Sequence, residues 1–359
     1  MIYLDYQATT PLAPEAREAM LPWLGGPDTA GFANPHSPHP PGRAAAAAVD
    51  LARDRVAALF PPGGRVIFTG SATEAINLAI LGSKASALAA STIEHAAVLD
   101  TAAASGAQVT YLPCGADGVV PANTQIRPGT GLVAVMQVNN EIGTVQPVEA
   151  LARSARAAGA LFLCDAVQGA GKIAPPSGAD MIAVSAHKLY GPKGIGALWV
   201  RDGVELTALI HGGGQEQGLR SGTLSPALCA GFGVAAALAV ERMTSDAAHV
   251  EKLWRRAREL LPHWQLNGCD TQRWHGNLNL RRDGVDVGRL MSDLRDIAFS
   301  AGSACASGSG RTSHVLRAIG LDSAQAKSSV RIGFGRYTGM RDLEDACARI
   351  DAAAAAQGG

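Results

Sequence analysis

The chain has 359 residues, more than one hydrophobic core usually serves, so two packed domains are predicted. Hydrophobic residues make up 47% and charged residues 17%, a globular composition that excludes a disordered polymer. Lys and Arg together number 31, as do Asp and Glu, so charge gives no argument for nucleic acid or an anionic membrane, and small molecules or proteins are the expected partners.

The opening residues, Met1-Ile2-Tyr3-Leu4-Asp5-Tyr6, lack the basic and apolar regions of a targeting peptide. No stretch approaches the roughly 18 uninterrupted apolar residues of a membrane span, and a cytoplasmic protein is expected. Cysteines at 114, 164, 229, 269, 305 and 347 form no Cys-x-x-Cys pair, which argues for reduced thiols and against a metal knuckle. Pro-Gly clusters at Pro35 to Gly42 and Pro61 to Gly64 predict loops.

From about Arg43 to Val200, strand-length apolar runs alternate with segments of helical period. Strand is predicted at Arg65 to Thr69, Leu132 to Val138, Leu161 to Cys164 and Met181 to Ser185, with helix at Ala72 to Gly82 and Val148 to Ala157. That alternation predicts a mainly parallel sheet covered by helices on both faces, with ligands at the carboxyl ends of its strands. A long helix is predicted from Pro226 to about Leu261. Strands at Gly276 to Leu280 and Ser329 to Gly333, and helices near Asp286 to Leu294, Ser313 to Ile319 and Asp342 to Ala355, read as a smaller α+β unit. The predicted division is a large α/β domain over 13–245 and a small domain made of 1–12 and 246–359.

Chemistry-bearing residues cluster at the predicted strand ends. Phe68-Thr69-Gly70-Ser71-Ala72-Thr73-Glu74 runs from strand through a glycine turn into helix, which suits a phosphate cradle; Ser71 or Thr73 serving only as a helix cap is the plainer alternative. In Ser91-Thr92-Ile93-Glu94-His95, the imidazole can stack on a flat ring and move protons, or simply be structural. Asn140, in Val138-Asn139-Asn140-Glu141, can orient a ligand oxygen or satisfy loop backbone. Asp165 ends a buried apolar run, where a carboxylate needs a partner such as a protonated pyridine nitrogen, unless it caps the next turn.

Lys188 follows the apolar run Met181-Ile182-Ala183-Val184 in Ser185-Ala186-His187-Lys188-Leu189-Tyr190-Gly191, a placement suited to a desolvated, nucleophilic amine. The glycine-rich stretch His211 to Thr223 suits close approach of a ligand or a second subunit. Cys305 lies in Ser303-Ala304-Cys305-Ala306-Ser307-Gly308, with no large apolar neighbour, as expected of a solvent-reaching thiol rather than a core cysteine. Arg331, on a strand, can clamp a carboxylate or make a structural ion pair.

Taken together, these motifs resemble the cysteine desulfurases of the NifS/IscS type, class-V aminotransferase relatives with fold type I of the pyridoxal-phosphate enzymes. The resemblance runs from Tyr3-Leu4-Asp5-Tyr6-Gln7-Ala8-Thr9-Thr10-Pro11 to Gly335-Arg336-Tyr337-Thr338. Two departures stand out: Gly70-Ser71 reverses the family's usual Ser-Gly order, and Gln7 replaces its usual Asn or Ser.

The resemblance implies a pyridoxal 5'-phosphate enzyme whose Lys188 forms the Schiff base, Asp165 pairs with the pyridine nitrogen and His95 stacks on the ring. It implies that Gln168 and Asn140 bind cofactor or substrate oxygens, and that Ala72, Thr73, Ser185 and His187 hold the phosphate. Asn34 and Arg331 are assigned to substrate, Arg331 as clamp for its carboxylate. Thr223 is expected to reach the neighbouring active site of a homodimer. The implied reaction converts L-cysteine to L-alanine and leaves a persulfide on Cys305. Its sulfur then passes to a protein acceptor such as an iron-sulfur scaffold or a tRNA-thiolation protein, with no direct nucleic-acid or membrane partner and no metal. A selenocysteine lyase or other pyridoxal-phosphate C-S lyase shares the cofactor residues, and a non-catalytic adaptor of iron-sulfur assembly is the alternative from another class.

Overall fold

Seven strands form the main sheet in the order Gly64–Thr69, Gly196–Arg201, Met181–Ser185, Leu161–Asp165, Leu132–Ala134, Ala87–Ser91 and Gln108–Leu112. The computed structural model describes residues 1–302 and 313–358. Only the Gly196–Arg201 strand runs against its neighbours, and every other pairing in this sheet is parallel.

Alternation along the strands explains the layers. Val66, Phe68, Val133, Phe162, Cys164, Ile182, Val184 and Trp199 enter one core, together with residues of the helices Pro40–Ala57, Val148–Ala157 and Pro226–Leu260. Ile67, Leu132, Leu163, Met181, Ala183, Leu198 and Val200 enter the opposite core, with the helices Ala72–Gly82 and Ala96–Ala104. A period-2 chain that is apolar at both parities buries both faces, so helices must cover each. Cys164 is fully buried in the first of these cores.

The 35-residue Pro226–Leu260 helix starts from the Ser225 cap with Pro226 in its first turn. Its residues Cys229, Phe232, Ala235, Ala236, Leu238 and Ala239 belong to the main core, whereas Val250, Leu253, Trp254 and Ala257 belong to a separate core with the antiparallel strands Asn277–Arg281 and Ser329–Gly333 and the Met340–Ala355 helix. Its most apolar 18-residue stretch averages 1.4 in hydropathy, sufficient in length and composition to cross a bilayer, yet half of that stretch is buried against other elements. That is the pattern of a core helix.

Several predicted bounds shift. The Leu132 strand ends at Ala134, although Val135 and Gln137 still donate backbone hydrogen bonds to Leu163 and Asp165 at 3.1 and 2.8 Å. The predicted loop Pro35 to Gly42 is cut short, because helix begins at Pro40, where His39 Nδ1 accepts the Gly42 amide at 3.2 Å. Proline in a first helical turn sacrifices no hydrogen bond. The strands Ala87–Ser91 and Gln108–Leu112 and the Ala96–Ala104 helix add to the predicted set.

Candidate active site

Thr69, Asp165 and Ser185 are the last residues of their strands, and their carboxyl ends open on one cavity of about 310 Å³. Its lining brings together Ala72, Thr73, His95, Asn140, Asp165, Gln168, Ser185, His187, Lys188 and Arg331. Of the site residues predicted from sequence, Asn34 and Thr223 do not line it. Asn34 is exposed, with its Oδ1 accepting the His36 amide at 2.9 Å, and Thr223 is exposed in the glycine-rich segment. Cys305 lies outside the described residues.

One wall of the cavity is the turn into the Ala72–Gly82 helix. Ser71 caps it, its Oγ accepting the Glu74 amide at 3.4 Å, so the cap reading of Ser71 is realised. In the reversed Gly70-Ser71 order Ser71 is extended, at φ −171°, while the Gly70 amide turns back to Glu74 Oε2 at 2.7 Å. Gly196 sits between Thr69 and Ser185 in the sheet, and a Cβ there would lie 2.6 Å from the Ser71 carbonyl carbon and 2.8 Å from the Ala72 nitrogen. Free first-turn amides beside Thr73, Ser185 and His187 suit an anion.

Lys188 is held from the N-terminal strap. Its Nζ donates to the Gln7 and Ala8 carbonyls at 2.6 and 2.7 Å. Thr10 grips the chain on either side of the lysine, donating from Oγ1 to the His187 carbonyl at 3.0 Å and accepting the Tyr190 amide at 2.7 Å. Tyr190 has φ +68°, a left-handed conformation that costs a side-chain-bearing residue about 1 kcal/mol or more and is sustained by these bonds. Burial, and then the charges of Lys188 and Lys193, push His187 down to about 4, so its ring is neutral beside Thr9 Oγ1 at 3.1 Å.

On the floor, Asp165 Oδ1 accepts the Val167 amide at 3.0 Å. Burial pushes this carboxyl above its ordinary range, offset in part by the charges of His95 and Lys188. His95 caps the Ala96–Ala104 helix, and its Nδ1 accepts the Ala97 amide at 3.0 Å. Any proton the ring gives or takes therefore moves at Nε2. Gln168 donates from Nε2 to the Gln7 carbonyl at 3.0 Å while its buried Oε1 has no partner.

Arg331 is fully buried, makes the ion pair of its structural reading and sits where a carboxylate clamp would be needed. It lines the cavity, and it also pairs with Asp5 Oδ1 at 2.8 Å and donates to the Asn140 carbonyl at 3.0 Å. Gln7, Ala8, Met136 and Val138 complete the lining. Sequence reasoning missed the first two as lysine ligands because they act through backbone carbonyls, which leave no signature in residue type.

The profile of aminotransferase class V matches residues 2–345. The chain belongs to the class-V aminotransferase family. It is 42% identical over 377 aligned positions to the cysteine desulfurase IscS of Rickettsia akari, a match spanning 98% of this chain and 91% of that protein. Among solved structures, a NifS-like protein superposes with a TM-score of 0.88 at 31% identity over 98% of both chains. A second, described as SspA in complex with cysteine, gives 0.82 at 36% identity over 94% of this chain and all of the other.

The family's cofactor, pyridoxal 5'-phosphate, is this chain's cofactor, and the cavity fits it. The first-turn amides match its phosphate, the buried Asp165 its cationic ring nitrogen, the orphaned Gln168 Oε1 a ring substituent, and Lys188 its aldehyde.

Proposed function

We propose that this protein is a cysteine desulfurase that converts L-cysteine to L-alanine and carries the released sulfur on Cys305. The observation that carries this reading is the arrangement of Lys188, Asp165, His95 and Arg331 around one cavity, in a chain 42% identical over almost its whole length to a protein named for that activity.

When bound, pyridoxal phosphate supplies an electron sink for the carbon skeleton of the amino acid. The chain's own residues do the rest. Arg331 binds the substrate carboxylate, exchanging part of its pairing with Asp5 for the incoming anion. Asp165 holds a proton on the ring nitrogen, and the positive charge it gains as partner offsets the burial that raises its own carboxyl. The Gln7 and Ala8 carbonyls each accept one hydrogen of the Lys188 amine and so orient it to take the α-proton of the substrate at Nζ. His95 supplies or removes a proton at Nε2.

The thiolate of Cys305 attacks the substrate sulfur. A sulfur-sulfur bond forms as the carbon-sulfur bond breaks, the electron pair of the broken bond stays with the carbon skeleton, and alanine is completed by the proton the Cys305 thiol gave up, delivered to Cβ, and by the α-proton returned from Lys188 Nζ to Cα. The persulfide is then passed to a protein acceptor. We also place this chain in a homodimer, with exposed Thr223 serving the partner's cavity.

Incubation with L-cysteine followed by peptide mass spectrometry tests the reading. One additional sulfur on the Cys305 peptide, with stoichiometric alanine, is the expected result, and alanine formed without it refutes the carrier step. Turnover confined to selenocysteine would identify a lyase, and a colourless protein that pyridoxal phosphate cannot reconstitute would identify an adaptor.

A further inference from the structure

Behind the phosphate turn lies a second cavity of about 370 Å³, reaching from Leu209 and Ile210 to Arg220. Ser71 and Thr73 line both this cavity and the active-site cavity, so the turn is a thin shared wall. On its far side Arg220 Nε pairs with Glu74 Oε1 at 2.9 Å, and Glu74 Oε2 accepts the Gly70 amide at 2.7 Å.

The carboxylate of Glu74 thus sits in the first helical turn and takes one of the amides at the end that must also receive a phosphate. Two anions sharing one helix terminus repel each other, and the phosphate carries between one and two negative charges at neutral pH. With their side chains 21% and 24% exposed, Arg220 and Glu74 are screened only in part by solvent.

We propose that Arg220 is a positioning residue that sets the affinity of the site for the cofactor's phosphate by cancelling the charge of Glu74. Glu74, so neutralised, remains free to hold the Gly70-Ser71 turn in shape through the Gly70 amide. This inference rests on the reading of the turn as the phosphate site. It also gives the glycine-rich segment Gly212 to Thr223 a task within its own subunit, separate from any contact of Thr223 with a partner.

The test is titration of the apoprotein with pyridoxal phosphate and, in parallel, with pyridoxal, which lacks the phosphate, read by absorbance and intrinsic fluorescence. Arg220→Met is expected to weaken pyridoxal phosphate about tenfold or more, the scale of one uncompensated nearby charge, and to leave pyridoxal unchanged. Adding Glu74→Gln to that variant is expected to restore affinity to within about threefold of the parent, and Arg220→Lys to keep it there. Equal weakening of both ligands, no recovery in the double variant, or a loss in Arg220→Lys matching that in Arg220→Met would overturn the charge account. Parent protein that binds pyridoxal as tightly as pyridoxal phosphate would instead remove the phosphate reading itself.

Discussion

Replacing Glu94 with glutamine probes a proton stored next to the cavity. Glu94 is fully buried and immediately precedes His95; one of its carboxyl oxygens, Oε1, accepts the Ser91 hydroxyl and the Met136 amide, the latter at 2.9 Å. The other oxygen is buried without a partner. Burial pushes this carboxyl from 4.5 up to about 8, with the Ser91 and Met136 bonds opposing the rise, so the side chain is neutral at pH 7.

Between those two values the folded chain keeps a proton that the unfolded chain has lost, and stability must fall as pH rises through the window. The whole rise corresponds to at most about 5 kcal/mol, and relaxation around the charged form lowers that ceiling. Glutamine copies the shape of the neutral acid and has no proton to lose.

Urea unfolding of parent and Glu94→Gln apoproteins is therefore expected to agree within about 1 kcal/mol at pH 5.5, with the variant more stable by about 1 to 3 kcal/mol at pH 8.5. A stability difference that stays constant between the two pH values would refute the buried-proton account.

Gly196→Ala places a Cβ against two backbone atoms of the phosphate turn. A loss of about 1 to 3 kcal/mol in denaturant unfolding is expected together with weaker pyridoxal phosphate binding, and unchanged binding would refute the close-packing argument. Asp165→Asn removes the buried carboxyl proposed as countercharge of the ring nitrogen, so turnover on L-cysteine should fall about a hundredfold or more, and a variant within a few-fold of the parent would dismiss that pairing. Arg53 binds both carboxyl oxygens of Glu216 at 2.7 Å, and Glu216 also accepts the Phe68 amide at 2.6 Å. Arg53→Met leaves that carboxylate buried and unpaired, at a cost of about 3 kcal/mol; the double variant with Glu216→Gln should recover part of it, and equal single and double losses would argue against the ion pair as the cause.

The main sheet was legible in the sequence where strands carry branched and aromatic residues, as at Met181 to Ser185. It was less legible at Ala87–Ser91, whose alanines carry almost no strand signal, and that strand is fixed by neighbours on both sides. Position at or a few residues beyond a strand end singled out His95, Asp165 and Lys188 in the sequence, and all three line the one cavity. What the sequence could not display is the contact of distant segments: the strap carbonyls on Lys188, the Asp5 to Arg331 pair and the paired Glu74 and Arg220 behind the turn. Neither periodicity nor motif spacing encodes which backbone oxygen lies beneath an amine.

The strap that seats Lys188 has a consequence for how the enzyme is made. Gln7 contributes its carbonyl to Lys188 and its side-chain amide to the Gly276 carbonyl, while Asp5 pairs with Arg331, so segments separated by 181, 269 and 326 positions meet around one lysine. During synthesis, the residues that will cradle the amine wait for partners that leave the ribosome far later. A polypeptide interrupted before the Ser329–Gly333 strand would carry Lys188 and its strap but lack Arg331, and with it the Asp5 pair that ties the strap to the far end of the chain.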